Sequence, residues 1–225
     1  RGGAVLVAAG PDFAGADSIF RSPLGDVLPA EPTARVREEA YRPQVTNLGA
    51  RHPVTTGLSA SDDWGRWLRQ IDVAPTAGDV VMHGADDSPL LVLDRVDAGR
   101  FALLASDHAW LWSRGYEGGG PQLELLRRLA HWMMKEPELE EETLTASAVG
   151  QSMQITRRTL EETVPPLVIT SPDGSTTKLT LSQTAPGQFS APFEGSETGL
   201  YRLENGDQTA VIGLGTAAPR EFINT

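Results

Sequence analysis

The chain of 225 residues contains no cysteine, and this absence excludes a disulfide scaffold, a thiolate metal site and a cysteine nucleophile. It also lacks a run of about 18 uninterrupted apolar residues, which a membrane-spanning helix requires. Basic residues are scarce: 19 Lys and Arg against 30 Asp and Glu give a net charge of −11, without a basic stripe. The composition therefore argues against nucleic acid as a partner, and we expect membrane contact only through segments outside this sequence.

Apolar runs alternate with helical stretches over residues 1–139, which is the pattern of an α/β domain. The candidate strands are Ala4–Ala9, Asp79–Met82, Leu90–Leu93 and Phe101–Ala105. Turn sequences between the last three strands favour hairpins, so we predict a mixed sheet. Apolar residues at three-and-four spacing predict helices over Pro121–Lys135 and about Asp63–Gln70.

Residues 143–215 have a different pattern, which predicts an all-β immunoglobulin-like sandwich. Seven short β-type runs carry this prediction, namely 143–150, 153–160, 167–170, 178–181, 188–193, 200–203 and 209–214. Five Glu and one Pro fall within Glu136–Glu142, a composition that repels itself and stays solvated, so we place the domain boundary there. We expect residues 216–225 to form a tail.

Four segments of the first domain form a pattern: Gly2–Val7, Arg51–Leu58, Ser106–Trp110 and Arg114–Pro121, the last before a long helix. This pattern resembles the class I glutamine amidotransferase-like domains of large bacterial membrane-anchored proteins. The resemblance implies an α/β flavodoxin-like fold over residues 1–139, incomplete at its N-terminus. It also implies an extracytoplasmic, periplasmic location for this part of a membrane protein.

In active members of that family, the strand corresponding to Ala4–Ala9 delivers a cysteine on a tight turn, and a downstream His and Glu complete the triad. Here the turn reads Ala9-Gly10-Pro11-Asp12-Phe13, and the chain has no cysteine. The nearest serines, Ser18 and Ser22, lie beyond the strand-turn-helix geometry that exposes a nucleophile. The resemblance thus implies a fold and argues against the family's reaction.

Ser106-Asp107-His108 contains the residue types of a hydrolytic triad, but consecutive residues at a strand end point in different directions and do not form the relay. A structural role is the simpler interpretation. The alternative makes Asp107 or His108 a general base or polar contact at the carboxyl end of a strand. His83, followed by two aspartates, would share a metal with His108 only if their strands adjoined. We predict neither a metal nor a cofactor.

The candidates for a binding surface are Trp110, Trp112, Arg114, Tyr116 and Gly119. On an extended segment, residues two apart share one face, so Trp110 and Trp112 would line a groove for a protein or a sugar. The glycine run 118–120 before the long helix offers backbone N–H groups to an anion but lacks the Lys-Ser/Thr of a P-loop. The alternative is a turn that lets the helix pack.

These patterns support functions of different classes. The first is a non-catalytic module that binds other proteins or other domains of the same polypeptide. The second is a hydrolase or carbohydrate-active enzyme that uses Asp107 and His108 near Trp110, and a third is a sensor of a small anion at Gly118–Gly120. Convergence of His83 and His108 in one pocket would favour the enzyme, and separate burial with backbone partners would favour the binding module.

Overall fold

The computed structural model describes residues 2–58 and 61–215, so the predicted tail at 216–225 lies outside the described residues. The chain divides into two compact units, residues 1–140 and 141–225, and each is described by itself. The described residues form fifteen β-strands in four sheets and only two α-helices.

Unit 1 contains seven strands, which are β1 (Ala4–Ala8), β2 (Ala30–Arg37), β3 (Gln44–Val45), β4 (Gln70–Pro75), β5 (Asp79–His83), β6 (Pro89–Val96) and β7 (Gly99–Leu104). Five of them form one sheet in the order β1-β7-β6-β5-β3, while β2 and β4 form a two-stranded antiparallel sheet. Within the larger sheet only β1 and β7 are parallel. The mixed sheet predicted from the turn sequences is confirmed.

Unit 1 also holds both helices, α1 (Trp110–Ser113) and α2 (Gln122–Met133). Its short 3-10 helices are Pro11–Ala14, Ile19–Arg21, Pro23–Asp26, Ser61–Asp63, Ala85–Asp87, Tyr116–Gly118 and Pro137–Leu139. Helix α2 confirms the helix predicted from Pro121. The helix predicted at about Asp63–Gln70 is wrong, because Trp67 instead forms an isolated antiparallel bridge with Tyr41 and Gln70 already begins β4.

The fold class predicted from the sequence, an α/β flavodoxin-like domain plus an all-β immunoglobulin-like sandwich, is wrong, since the chain is β-rich with four sheets. A flavodoxin-like sheet is parallel and covered by helices on both faces. Here α2 covers one face of β7, and the β2–β4 sheet covers the other. Strand β7 is therefore buried along its whole length because two layers cover it, although its neighbour β6 is antiparallel to it.

Unit 2 is formed entirely of strands, which are β8 (Thr143–Val149), β9 (Ser152–Arg158), β10 (Leu167–Thr170), β11 (Thr176–Leu179), β12 (Ser182–Ala185), β13 (Gln188–Glu194), β14 (Gly199–Asn205) and β15 (Gln208–Leu214). They form two four-stranded antiparallel sheets in the orders β11-β10-β14-β15 and β12-β13-β9-β8. Each of the seven predicted runs overlaps a strand. The prediction missed β12, whose sequence Ser-Gln-Thr-Ala lacks apolar alternation.

The acidic segment between the units is not a solvated linker. Glu140 accepts hydrogen bonds from Arg95, with Nη2 and Oε2 2.6 Å apart, and from the buried Arg100. Burial opposes ionisation of Glu140, but the two arginines outweigh it and lower its pKa. Glu142 in turn accepts a hydrogen bond from the buried Arg157. Glu140 is thus bound within unit 1 and Glu142 within unit 2.

His52 is a buried titratable group in the core of unit 1. Its ring centroid lies 5.9 Å from that of Trp132, and its Nδ1 accepts a hydrogen bond from the Val54 N–H at 3.2 Å. Burial lowers the pKa of His52 to about 3. Between that value and the ordinary histidine pKa, the unfolded chain binds a proton that the folded chain does not, so stability falls as the pH decreases through this window.

We predict that the free energy of unfolding of unit 1 decreases between about pH 6.5 and about pH 5, by up to ~1.4 kcal/mol per pH unit from His52. The substitution His52→Gln is expected to flatten this decrease. Urea denaturation followed by tryptophan fluorescence measures it for unit 1 alone, because all five tryptophans lie there. An equally steep pH dependence in the variant would refute the assignment.

Candidate functional site

The candidate site lies at the sheet edge where the parallel strands β1 and β7 both end. The residues after β7, Ser106–His108, meet the turn after β1 at this edge. A Cβ added to Gly10 would stand 3.3 Å from Asp107 Oδ2, so this glycine allows the carboxylate to approach the turn. After Gly10 the chain forms a 3-10 helix that buries Phe13. At the turn where the family resemblance places a nucleophile, the chain therefore has a glycine next to the Asp107 carboxylate.

Ser106 is buried, and its hydroxyl group forms two hydrogen bonds with backbone groups. Its Oγ donates to the Arg69 carbonyl oxygen at 2.6 Å and accepts from the His108 backbone N–H at 3.1 Å. The Tyr41 hydroxyl donates to the same carbonyl at 3.2 Å, and burial raises the pKa of Tyr41, which keeps that proton in place. The Ser106 proton is thus held by a carbonyl oxygen rather than offered to an imidazole.

Asp107 is bound to Arg69 at two points. Arg69 Nη2 donates to Asp107 Oδ2 at 2.7 Å, and Arg69 Nε lies 3.3 Å from Oδ1. A two-point contact of this kind fixes the orientation of both side chains. The Asp107 side chain is 35% exposed and that of Arg69 is 26% exposed, so the ion pair lies at the surface of the site.

His108 directs both ring nitrogens at neighbours within the unit. Its Nδ1 accepts a hydrogen bond from the Leu68 N–H at 3.3 Å, and its Nε2 lies 3.8 Å from Asp107 Oδ1. Burial lowers the pKa of His108, which favours the neutral ring. A neutral ring that accepts at Nδ1 carries its proton on Nε2, so neither nitrogen of His108 is free to remove a proton from a substrate.

Ser106, Asp107 and His108 therefore hold one short segment: Ser106 and His108 bond the backbone at Arg69 and Leu68, and Asp107 binds the Arg69 side chain. We name these three residues the strand-end clamp. Sequence reasoning selected its members but missed their target, Arg69. No local pattern points to that residue, because Asp107 lies 38 positions away along the chain.

His83 lies at the end of β5, on the same sheet edge as the clamp, because β5 and β7 are both antiparallel to the strand between them. Strands two apart in a sheet are separated by about 10 Å. Within the described part of the chain, His, Asp and Glu side chains form no group of three or more that would hold a metal ion. The structure does not bring His83 to His108.

Trp110 and Trp112 do not share a face, because their segment is the helix α1 rather than an extended chain. Residues two apart on a helix point in nearly opposite directions. Trp110 is 52% exposed, whereas Trp112 is buried, with its ring centroid 5.1 Å from Trp64 and 4.8 Å from Trp67. The Trp112 Nε1–H donates to the Gly65 carbonyl oxygen at 2.7 Å. Of the two, only Trp110 belongs to the surface.

The glycine run 118–120 packs closely against other parts of unit 1. A Cβ on Gly120 would stand 2.5 Å from the Trp112 ring, and the Gly119 carbonyl oxygen accepts a hydrogen bond from the Gly65 N–H at 2.6 Å. Gly119 is buried and has a φ of +77°, a value that favours glycine. Packing accounts for Gly119 and Gly120, and Gly118 has a φ of +95°, so the run gives no separate support to an anion site.

Exposed side chains surround the clamp. Trp110 meets the His108 ring edge-on, with centroids 6.2 Å apart, and His108 accepts from the backbone of the exposed Leu68. Arg66 donates to both carboxylate oxygens of Glu117 at 2.8 and 2.5 Å, and these hydrogen bonds lower the pKa of Glu117 to about 2. We name this surface the Trp110 face, formed by Arg66, Leu68, Trp110, Tyr116 and Glu117.

Among the other predicted binding residues, Tyr116 is 37% exposed and Arg114 is exposed beside it in the chain. Arg66, Leu68 and Glu117 were missed by sequence reasoning. Leu68 lies within the helix predicted at about Asp63–Gln70, which does not form, and the Arg66–Glu117 pair joins positions 51 residues apart.

No family model matches the chain, and no curated protein matches it. Among solved structures, it is similar to the cytoplasmic protein STM1381 from Salmonella typhimurium LT2, at 22% identity and a TM-score of 0.50. That alignment covers 59% of this chain and 56% of the other. A second similar structure is the cytoplasmic protein STM3548 from Salmonella typhimurium, at 21% identity and a TM-score of 0.48, covering 59% and 55%. The chain thus spans little more than half the length of either protein.

These findings correct two expectations drawn from the family resemblance. The class I glutamine amidotransferase-like assignment is wrong, because the first unit is β-rich with one parallel strand pair and no family model supports the assignment. The extracytoplasmic, periplasmic location was inferred from that assignment alone and falls with it; STM1381 is itself described as a cytoplasmic protein. Within the described residues, the helices are too short or too polar to cross a membrane.

We predict that Ser106→Ala lowers the free energy of unfolding of unit 1 by about 1–2 kcal/mol, because it removes a buried donor from the Arg69 carbonyl. Ser113→Ala is the matched control. Its hydroxyl also donates to a backbone carbonyl, that of Trp110 at 2.8 Å, but at an exposed position, so we expect a change within about 0.5 kcal/mol. Urea denaturation of the two variants checks this, and equal effects would contradict a structural role for Ser106.

Proposed function

We propose that the chain is a non-catalytic module that binds other proteins, and that unit 1 does so through the Trp110 face. The observation that carries this proposal is the strand-end clamp. Its serine proton, its carboxylate and both its imidazole nitrogens are directed at groups of the same unit. A general base or nucleophile must instead reach the reacting atom of a substrate.

The alternative is a hydrolase or carbohydrate-active enzyme that uses Asp107 and His108 near Trp110. For this function Asp107 would have to leave the two-point contact with Arg69, or His108 would have to release the Leu68 N–H. The serines nearest the turn after β1 are also engaged: Ser18 Oγ accepts from the Phe20 N–H, and Ser22 Oγ donates to the Ile19 carbonyl oxygen. Backbone capping favours a structural role for both serines.

The chemistry of the Trp110 face favours a protein over a sugar. Trp, Tyr and Arg are the residue types that contribute most binding energy at protein interfaces, and this face presents one of each. A sugar needs free hydrogen-bonding side chains beside the stacking ring. Glu117 of this face is paired with Arg66, and Asp107 of the adjoining strand-end clamp is paired with Arg69.

We predict that peptides selected from a phage-displayed random library against the chain lose at least ~20-fold in affinity when Trp110 is replaced by Ala. Leu123→Ala is the matched control, because Leu123 is a large apolar residue that is 82% exposed on α2. It is expected to change the affinity less than ~2-fold. Fluorescence polarisation with a labelled selected peptide measures both.

The enzyme alternative is tested on the same protein with glutamine, p-nitrophenyl esters and p-nitrophenyl glycosides. We expect no turnover above that of Asp107→Asn. Two results would each overturn the proposed function: turnover that Asp107→Asn abolishes, or selected peptides that bind Trp110→Ala as tightly as the original chain.

A further inference from the structure

Strand β1 ends the five-stranded sheet of unit 1 and pairs, among the described residues, only with β7. Its sequence, Ala4-Val5-Leu6-Val7-Ala8, is apolar throughout, and Leu6 is 37% exposed. Proteins usually protect an edge strand with a charge, a proline or a bulge, because an open apolar edge pairs with other strands. Strand β1 has neither charge nor proline, and its register with β7 is uninterrupted.

The backbone shows which groups of β1 are available. The Gly3 carbonyl oxygen accepts from the Arg100 N–H at 3.0 Å, and the Ala9 N–H donates to the Leu104 carbonyl oxygen at 2.8 Å. Because successive residues of a strand direct their N–H and C=O groups to opposite sides, the odd-numbered residues of β1 face β7. The N–H and C=O groups of Ala4, Leu6 and Ala8 therefore face the open edge.

We propose that β1 pairs in antiparallel orientation with β1 of a second copy of this chain, with Leu6 opposite Leu6. The sequence of the strand is a palindrome centred on Leu6, so a two-fold axis there places Ala4 opposite Ala8 and valine opposite valine. In this register each outward N–H meets an outward C=O of the other copy, so the N–H and C=O groups of Ala4, Leu6 and Ala8 all form hydrogen bonds. The inference is independent of the proposed function, since it concerns a different surface.

Charge complementarity supports a second copy as the occupant. At the start of β1, Lys135 Nζ lies 2.8 Å from where a Cβ on Gly2 would stand. At its other end, the exposed Asp12 and Asp17 line a cavity of about 370 Å³ beside Gly10. The proposed register sets Gly2 of one copy opposite Gly10 of the other, so the lysine of each copy approaches the aspartates of its mate. A two-fold axis repeats this contact at both ends.

A five-residue edge is a small contact surface, so we expect a dimer that depends on concentration rather than a permanent one. Sedimentation velocity from about 5 to about 500 µM measures it. Leu6→Lys places two lysines opposite each other and is expected to raise the dimer dissociation constant at least ~10-fold. Leu123→Lys, at an exposed leucine of α2, is expected to leave it unchanged. Circular dichroism verifies that both variants fold.

The absence of cysteine allows a second test that also fixes the register. Residues opposite each other in a hydrogen-bonded antiparallel pair have Cα atoms about 5.5 Å apart, a separation that a disulfide bridges. Under mild oxidation with oxidised glutathione, Leu6→Cys is expected to form a covalent dimer at least ~10-fold faster than Leu123→Cys. Ala4→Cys is expected to cross-link rapidly only when mixed with Ala8→Cys.

The proposal is overturned if the chain stays monomeric over the whole concentration range and Leu6→Cys cross-links no faster than Leu123→Cys. It is also overturned if the chain dimerises and Leu6→Lys dimerises equally well, since another surface is then responsible. Rapid cross-linking of Ala4→Cys with itself would overturn the register. None of these results bears on peptide binding at the Trp110 face.

Discussion

The backbone at Arg69 is the point on which unit 1 depends. The Arg69 carbonyl oxygen accepts hydrogen bonds from the Ser106 and Tyr41 hydroxyl groups, and the guanidinium group of the same residue binds Asp107. The next side chain, Gln70, is fully buried and donates to the Pro89 carbonyl oxygen at 2.9 Å. A buried polar group without a partner destabilises a fold more than a typical hydrogen bond stabilises it. This network therefore fixes where β4 starts and, through β4, the layer that covers one face of the sheet.

Those parts of the fold that local sequence determines were predictable. Helix α2 has its apolar residues at helical spacing after a proline, and the turn at Asp97-Ala98 joins two strands that are direct neighbours. In unit 2, short β-type runs located every strand except β12, and the pairs Asp173-Gly174 and Asn205-Gly206 marked two of the turns. In these segments each residue's preferred conformation agrees with the conformation that burial requires.

The remainder depended on contacts between distant positions. Trp64, Trp67, Leu68 and Ile71 have helical spacing, but Trp67 forms a backbone bridge with Tyr41, which the sequence does not reveal. The apolar run at 101–105 does not reveal strand direction, because β7 is buried by two layers and lies between a parallel neighbour, β1, and an antiparallel one, β6. In the candidate site, Ser106, Asp107 and His108 were recognisable by type. Their role was not, because it is defined by Arg69 and Leu68, far away along the chain.

The distribution of acidic side chains at residues 140–142 determines where the polypeptide can be divided for study. Glu140 provides the carboxylate that Arg95 and Arg100 bind, and Glu142 provides the one that Arg157 binds. Truncation before Glu140 would leave the buried guanidinium of Arg100 without its anion, and a fragment that starts after Glu142 would deprive Arg157 in the same way. Division of the chain at Glu141 keeps Glu140 with its two arginines and Glu142 with Arg157. The ion pairs therefore show where to separate the two units for expression.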